Sequence, residues 1–250
     1  MRGSVPDIDA ALIREVDLLC LDAGNTVVFL EHARLAASCA RHGFPTSAET
    51  LVLAEGHAKV AIECGEVVDV AWSQAHVPGG RGWGHVVGTM LQRAGLPLLR
   101  VPELLDALWP DHRARNFWSV VPAGLPESLA RARARGVRVA VISNSEGFLE
   151  EILEESGILG SFDLVVDSGV VGVEKPDPAI FRFALERTGI GAARALHLGD
   201  TYATDVLGAR AAGIRVALID PYGHLTGRHA DVPRVPGAPE VAEAIASARA

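Results

Sequence analysis

Polar side chains that can do chemistry follow several apolar, strand-like segments of the chain. Asp22 follows one such segment, Ser143 ends another, Lys175 lies in the run VGVEKPDP, and Asp200 and Asp205 follow a further segment. Parallel strands bring their carboxyl ends to one edge of a sheet, so we expect these groups to form one polar patch. A single aspartate after a strand is often only a helix cap or a turn residue, and the prediction therefore depends on all the strand ends together.

This set of groups fits phosphoryl transfer. That reaction needs a nucleophile, a divalent cation, and positive or hydrogen-bonding groups around the transferred oxygens. Asp22 can be the nucleophile because carboxylates form aspartyl-phosphate intermediates. Asp200, with Asp205 beside it, offers the hard oxygen ligands that suit Mg²⁺. Lys175 balances the negative charge, and Ser143 with nearby backbone N–H groups can hold phosphate oxygens.

The elements that must position these residues form an α/β pattern. From about residue 120 onward, β-branched apolar runs alternate with helical periodicity, which predicts βαβ units around a parallel sheet. The predicted strands are 17–21, 137–142, 163–167, 195–198 and 214–219, and predicted helices include 147–156 and 178–188. The sheet thus begins before Asp22 and resumes only after residue 120.

About 90 residues of different character separate the first strand from the rest of the sheet. Their helical patterns cover 33–43, 49–65, 83–95 and 102–109, and the glycine-rich run HVPGGRG at 76–82 predicts a mobile loop. An insertion at this place lies above the carboxyl edge of the sheet, where it can act as a lid. We interpret the tryptophans of this region, Trp72, Trp83, Trp109 and Trp118, as apolar anchors inside a small helical domain.

Composition excludes several classes of protein. The chain has 250 residues, 49% hydrophobic and 22% charged, as expected for a globular protein with a sizeable core. A formal charge of -8 without a long basic block argues against a nucleic acid or anionic membrane partner. Three cysteines without CxxC spacing argue against a disulfide framework and a structural zinc site. We find neither a signal pattern nor the roughly 18–20 apolar residues that span a bilayer, and therefore expect a cytoplasmic monomer or homodimer.

The sequence resembles the haloacid dehalogenase superfamily, in the group with a helical cap after the first strand. The family pattern is an Asp-x-Asp-x-Thr loop, a Ser or Thr closing the second strand, a Lys, and a Gly-Asp-x(3–4)-Asp loop. The matching positions, in this order, are Asp22, Thr26, Ser143, Lys175, Asp200 and Asp205. The wider runs VISNSEG, VGVEKPDPAIF and LGDTYATDVLGARAAG make the resemblance specific, and it covers about 15–30 and 118–222.

The resemblance implies a fold, a reaction and a set of roles. The fold is a Rossmann-like three-layer α/β core over 1–28 and 119–250, with an α-helical cap domain over 29–118. The reaction is Mg²⁺-dependent hydrolysis of a small phosphorylated metabolite through an aspartyl phosphate on Asp22. The implied metal ligands are Asp22, the backbone carbonyl of Gly24, Asp200 and Asp205. The implied catalytic residues are Asp22, Ser143 and Lys175, and the implied substrate-binding residues are Thr26, Ser143, Asn144 and Lys175.

The sequence departs from the family pattern at Gly24. By resemblance, an aspartate there protonates the leaving alcohol and then activates water, a function worth roughly 10²–10⁴-fold in rate. A glycine keeps the carbonyl but lacks the acid/base. One interpretation is a phosphatase that prefers good leaving groups or borrows an acid/base from elsewhere. Glu146 is the best donor, ahead of the cap residues His57, Glu63, Asp69, His76 and His85.

Two other interpretations stay open. Dehalogenases and phosphonate hydrolases of the superfamily also lack that aspartate. Dehalogenases need no metal, so the metal-type loop at Gly199 and Asp200 counts against them. Phosphonate hydrolases need a cap lysine, and the only candidate, Lys59, has a helical context that predicts a surface position. The third interpretation is a non-catalytic protein that binds a phosphorylated metabolite or serves a regulatory role.

Overall fold

A computed structural model describes residues 8–249 of the chain. Its main sheet has six strands in the order β5-β4-β1-β6-β7-β8, and every neighbouring pair in it is parallel. The strands of the molecule are β1 Leu18–Leu21, β2 Phe29–Leu30, β3 Trp118–Val120, β4 Arg138–Ser143, β5 Leu164–Asp167, β6 Ala195–Gly199, β7 Arg215–Ile219 and β8 Arg234–Val235. The predicted α/β class with a parallel sheet is confirmed, and the predicted strands lie within one residue of the observed ones.

Helices cover both faces of this sheet and fill the segment between β2 and β3. The α-helices are α1 Ala10–Ile13, α2 His32–Arg41, α3 Ala48–Glu63, α4 Gly80–Arg93, α5 Val101–Ala114, α6 Leu125–Ala134, α7 Leu149–Glu155, α8 Ser168–Val171, α9 Pro178–Thr188, α10 Leu207–Ala211 and α11 Ala238–Ala248. A π-helical turn, Tyr202–Val206, precedes α10. None of the helices in residues 8–249 has the length and apolar character to cross a membrane.

The continuous apolar runs of the central strands reflect burial on both faces. In β1, Leu19 and Leu21 join the apolar cluster that α6, α7 and α11 cover. Leu18 and Cys20 point the other way, into the cluster that α9 and α10 cover. Each such buried side chain contributes about 1.5–3 kcal/mol, which holds the strand ends in a fixed register. That register pairs Leu21 with Val141 of β4 and Leu198 of β6.

The helices α2 to α5 enclose a third apolar cluster. Trp72, Trp83 and Trp109 pack on one another there with ring centroids 5.1–5.4 Å apart, as the prediction of internal anchors required. The predicted loop 76–82 is too long, because α4 already begins at Gly80. At Gly80 a Cβ atom would lie 2.3 Å from the carbonyl oxygen of Gln74, so this turn depends on a glycine.

A short antiparallel ribbon of β2 and β3 connects this helical segment to the sheet. It pairs Phe29 with Val120 and Leu30 with Trp118, at both ends of the segment. The ribbon lies close to the predicted domain boundaries at residues 28 and 119, which stay predictions. Residues 1–7 and 250 of the predicted core range lie outside the described part of the chain.

Candidate active site

The loop after β1 is a tight turn that begins at Asp22. The Asp22 N–H donates to the carbonyl of Leu198 at 2.8 Å, so the parallel ladder continues to the first residue of the loop. Asn25 has φ 53°, a left-handed conformation that asparagine adopts more readily than most residues. Thr26 is only 1% exposed and does not border the cavity described below. Thr26 therefore lies beneath the loop, away from the surface where a substrate would bind.

Lys175 joins two of the predicted carboxylates. Its Nζ donates to Asp22 Oδ1 at 2.5 Å and to Asp205 Oδ1 at 2.7 Å, and all three side chains are buried. Asp205 Oδ1 also lies 3.0 Å from Nε2 of His197, a buried residue of β6. At Gly199 a Cβ atom would lie 2.2 Å from Cγ of Asp205, so only glycine admits the aspartate here.

Burial and neighbouring charges set the protonation of this group. Burial is the largest cause that raises the pKa of Asp22 to about 7; Lys175 opposes it, and Asp205 and Asp200 add to it. Burial alone would also raise the pKa of Asp205, but Lys175 and His197 outweigh it and lower that pKa. The pKa of Lys175 is raised, because the two carboxylates overcome its desolvation. Lys175 is therefore a charged ammonium that stabilises the ionised form of Asp22.

The end of β4 contributes Ser143 and Asn144. Ser143 is buried and borders the cavity, as the prediction of a phosphate-binding hydroxyl requires. The Asn144 side chain donates to the backbone carbonyl of Lys175 at 2.9 Å and accepts from its N–H at 2.8 Å. This pair of hydrogen bonds fixes the backbone of Lys175, so Asn144 is placed to orient Lys175, and Asn144 also borders the cavity.

Three carboxylates converge beside this loop. Asp22, Asp200 and Asp205 each offer an oxygen atom, and these oxygens lie within 4.8 Å of one another. All three residues are buried, and Gly24 borders the same cavity as Asp22 and Asp200. Clustered carboxylate oxygens are the ligands that Mg²⁺ prefers, so the donor set fits a hard divalent cation.

Helix α3 reaches into this site with two charged side chains one turn apart. Glu55 accepts from Asn25 Nδ2 at 2.6 Å and lies 2.8 Å from His32 Nε2. Lys59 Nζ lies 2.7 Å from Asp200 Oδ2, and the same oxygen accepts from Asn25 Nδ2 at 3.1 Å. The prediction of a surface position for Lys59 is wrong, because Lys59 is 8% exposed and faces the carboxylates.

The charges around α3 are matched. Burial alone would lower the pKa of Lys59, but Asp200 and Glu55 outweigh it and raise that pKa. Burial likewise favours a raised pKa for Glu55, but His32, Lys59 and Asn25 outweigh it, so the pKa of Glu55 is lowered. Both groups are therefore ionised at neutral pH and tie α3 to the loops after β1 and β6.

A cavity of about 300 Å³ lies between the sheet edge and the helical segment. Asp22, Lys175 and Asp200 form its polar end. Apolar side chains form another part of its wall: Ile62, Trp83, Val86, Met90, Trp118, Leu149 and Ile152. A Cβ atom on Gly24 would lie 3.5 Å from the indole of Trp118, so this ring covers the position where the usual aspartate would project.

Among the predicted acid/base donors, Glu146 borders the cavity. Burial is the main cause that raises its pKa, which favours the protonated acid. Its Oε1 lies 3.9 Å from Nε2 of His112, whose pKa burial lowers to about 3. The other candidates, His57, Glu63, Asp69, His76 and His85, are absent from the cavity wall. Glu63 instead pairs with Arg228 and His229.

Sequence reasoning missed several residues of the site. It gave no role to Glu55, His32, His112 or His197, and it treated Trp118 only as an anchor. His197 stands in a buried strand between Leu196 and Leu198, and a histidine in such a run was the one available signal. For Glu55 the sequence offers only its spacing of four residues from Lys59, which is also typical of a surface ion pair.

Comparisons with known proteins agree with this geometry. The chain is 38% identical to haloacid dehalogenase-like hydrolase domain-containing protein 3 of Mus musculus over 138 residues. These residues cover 55% of this chain and 55% of that protein. It is 37% identical over 131 residues to a phosphoserine phosphatase of Thermus thermophilus, covering 52% of this chain and 51% of that one. The chain thus matches about half the length of these relatives.

The fold has solved counterparts. The magnesium-bound HAD-hydrolase YfnB of Bacillus subtilis aligns with a TM-score of 0.65 over 92% of this chain and 98% of its own, at 16% identity, a likeness of fold alone. A sequence profile of the family described as haloacid dehalogenase-like hydrolase matches residues 16–213, which include every predicted site residue. The chain therefore belongs to the haloacid dehalogenase-like hydrolases.

Proposed function

We propose that the protein is a Mg²⁺-dependent phosphatase that hydrolyses a small phosphorylated metabolite through an aspartyl phosphate on Asp22. The observation that carries the proposal is the buried contact of Asp22 with Lys175, beside the cluster of carboxylates at the carboxyl edge of the sheet. Phosphatases among the relatives support the reaction class. The matches cover about half of those relatives, so their own substrates are not transferred to this chain.

The first step forms a bond from Asp22 to phosphorus and breaks the bond from phosphorus to the leaving oxygen. Lys175 opposes the burial that raises the pKa of Asp22 and so favours its ionised form, and the Ser143 hydroxyl and the backbone N–H groups around it hold the phosphoryl oxygens. In the second step, water attacks the aspartyl phosphate, which releases inorganic phosphate and restores the Asp22 carboxylate. Asn144 acts indirectly, since it fixes the backbone of Lys175.

We assign to Glu146 the proton transfers that a residue at position 24 usually performs. Its raised pKa supplies a carboxylic acid that donates a proton to the leaving oxygen. The resulting carboxylate then accepts a proton from the attacking water, so Glu146 is protonated again at the end of each turnover. Its place on the cavity wall favours it over the other donors, which do not border the cavity.

Asp22, the Gly24 carbonyl and Asp200 would hold Mg²⁺, and Asp205 would support the site through Lys175. When bound, the cation neutralises charge on the phosphoryl oxygens. The charges of the site fit such an ion: the carboxylates of Asp22, Glu55, Asp200 and Asp205 outnumber the two lysine ammonium groups by two.

The alternative chemistries differ in what they require from these residues. A dehalogenase has no use for a carboxylate cluster of metal-binding type. A phosphonate hydrolase needs a neutral amine, and Lys59 does lie at the site, but its pairing with Asp200 and its raised pKa keep it protonated. We therefore favour the phosphatase, in a cytoplasmic monomer or homodimer with the helical segment 29–118 as its cap.

The experiment that tests the proposal is phosphate release from acyl, aryl and sugar phosphates by the wild type and Asp22→Asn, with Mg²⁺ or with EDTA. We expect release that requires both Mg²⁺ and Asp22. Release of halide from haloacids, or of phosphate from phosphonates alone, would assign the protein to the alternatives. Binding of phosphorylated metabolites without turnover would identify a non-catalytic protein.

A further inference from the structure

The distribution of lysines in this chain is unusual. The sequence has 23 basic residues other than histidine, and all but Lys59 and Lys175 are arginines. Both lysines are buried, and both contact the carboxylates of the site: Lys175 contacts Asp22 and Asp205, and Lys59 contacts Asp200. A lysine ammonium is a compact point charge, comparable in this respect to a small cation, whereas arginine is a planar fork.

The two lysines differ in how they reach the site. Lys175 comes from the core segment after β5, and its backbone is fixed by Asn144. Lys59 comes from α3 of the helical segment and spans the cavity to the loop after β6. Its nitrogen lies 2.7 Å from Asp200 Oδ2, and Asp200 is the carboxylate that the proposed function gives to the metal. A cation from the helical segment is thus already bound to a proposed metal ligand.

We propose that Lys59 is a tethered counter-cation of Asp200 that competes with the divalent metal, so that metal binding loosens the contact between α3 and the sheet edge. The proposal rests on the proposed function insofar as Asp200 is taken as a metal ligand. Lys59 already occupies Oδ2 of Asp200, and like charges a few ångströms apart in a buried site repel, so a divalent cation that takes this oxygen must displace the Lys59 ammonium. Glu55 lies one turn away on α3 and bonds to Asn25, so it retains the helix near the site when Lys59 withdraws.

The variant Lys59→Met removes the charge and keeps the length of the side chain. We expect it to bind Mn²⁺ at least about tenfold more tightly than the wild type, measured by the loss of the free-ion signal in electron paramagnetic resonance. Lys59→Arg keeps a positive charge and should bind Mn²⁺ no more tightly than the wild type. Arg81→Met is the matched control, because it removes one charge from an exposed ion pair on α4 and leaves the site intact.

A second measurement observes the lysine side chains of the wild type directly. With ¹³C-labelled lysine, the 250-residue chain gives signals from two lysine side chains, Lys59 and Lys175. The signal that disappears in Lys59→Arg is that of Lys59. We expect Mg²⁺ to shift the Lys59 signal and sharpen it as the side chain leaves its buried pair. A Lys59 signal that does not change when the metal site fills would overturn the proposal.

The outcomes separate this inference from the proposed function. Equal or weaker Mn²⁺ binding by folded Lys59→Met, judged by circular dichroism, would overturn the competition and leave the metal site standing. Absence of Mn²⁺ binding in all variants would overturn the competition and the Mg²⁺-dependent function together. Tighter binding in Lys59→Met alone, with the NMR shift in the wild type, supports the proposal.

Discussion

The two sides of the cavity differ in where their residues lie in the secondary structure. On the sheet side, most functional residues stand at or just after the end of a parallel strand, whereas Lys175 follows the short helix α8. Asn25 and Asp200 meet there although 175 positions separate them. On the helical side, Glu55 and Lys59 come from the middle of α3, and no strand end or turn marks them. In the proposed function, the sheet side holds the groups that make and break bonds, and the helical side holds charges that pair with them. Variants on the two sides should therefore fail in different ways.

The largest effect should come from the nucleophile on the sheet side. Asp22→Asn keeps the shape of the side chain but removes the attacking oxygen anion, so we expect phosphate release to fall at least about 10³-fold. Initial rates with an aryl phosphate, in which leaving-group protonation matters little, measure this directly. Asp17→Asn is the control, because Asp17 pairs with Arg194 and Arg249 away from the cavity and should leave the rate unchanged.

The next effect concerns Glu146, which we expect to act as the acid. Glu146→Gln should lower kcat/KM about 10²-fold or more for alkyl phosphates and much less for aryl phosphates, whose leaving groups need no proton. Burial raises the pKa of Glu146, so wild-type activity on alkyl phosphates should fall as the pH rises through that pKa. This decline of activity with rising pH should be missing in Glu146→Gln. Glu150→Gln, an exposed neighbour, is the control, and equal losses on both substrate classes would contradict the role.

On the helical side the expected effect is on stability. Glu55→Ala removes the acceptor of Asn25 and His32 and leaves Lys59 with less compensation, which should lower the free energy of unfolding by about 2–4 kcal/mol. The pKa of Glu55 is lowered in the folded state, so its contribution is present above the ordinary glutamate pKa of 4.5 and is lost as the pH falls through the lowered pKa. Urea unfolding at pH 7 and in acid measures both quantities.

The control for that measurement lies on the same helix. Glu49→Ala changes an exposed glutamate in the first turn of α3 and should lower the free energy of unfolding much less than Glu55→Ala does. If both variants cost the same, the contacts of Glu55 with the core contribute no more than an exposed helix charge. The distinction between the two sides of the cavity would then rest on chemistry alone.

The same difference explains what the sequence could and could not predict. Asp22, Ser143 and Asp200 follow from one rule, namely that parallel strands end at the same edge of the sheet, whereas Lys175 follows β5 only after α8. The rule depends on apolar runs such as VRVAVI, whose burial on both faces the structure confirms. Long-range contacts between strand ends are therefore predictable even without knowledge of the loops.

No comparable rule places the side chains of α3. Apolar residues occur on most sides of this helix, and Leu53 is 66% exposed, so its sequence does not show which face meets the core. Glu55 and Lys59 have the spacing of an exposed ion pair, and only tertiary packing turns them towards Asn25 and Asp200. Trp118 was likewise visible as an aromatic residue, but its position over Gly24 depends on the pairing of β3 with β2.

The smallest expected effect returns to Gly24, where the two sides meet. The Cβ of a substituted residue has room at 3.5 Å from Trp118, so Gly24→Ala should change stability little. The carboxylate of Gly24→Asp extends further, towards the indole, and we expect a gain below about tenfold in kcat/KM for alkyl phosphates. The double variant Gly24→Asp with Trp118→Val replaces the indole by a smaller side chain. It should raise that gain, because the carboxylate can then reach the leaving oxygen. If Gly24→Asp alone gains as much in kcat/KM as the double variant, Trp118 is no obstacle to the new carboxylate. If the double variant shows no gain, Glu146 already supplies the acid that the reaction needs.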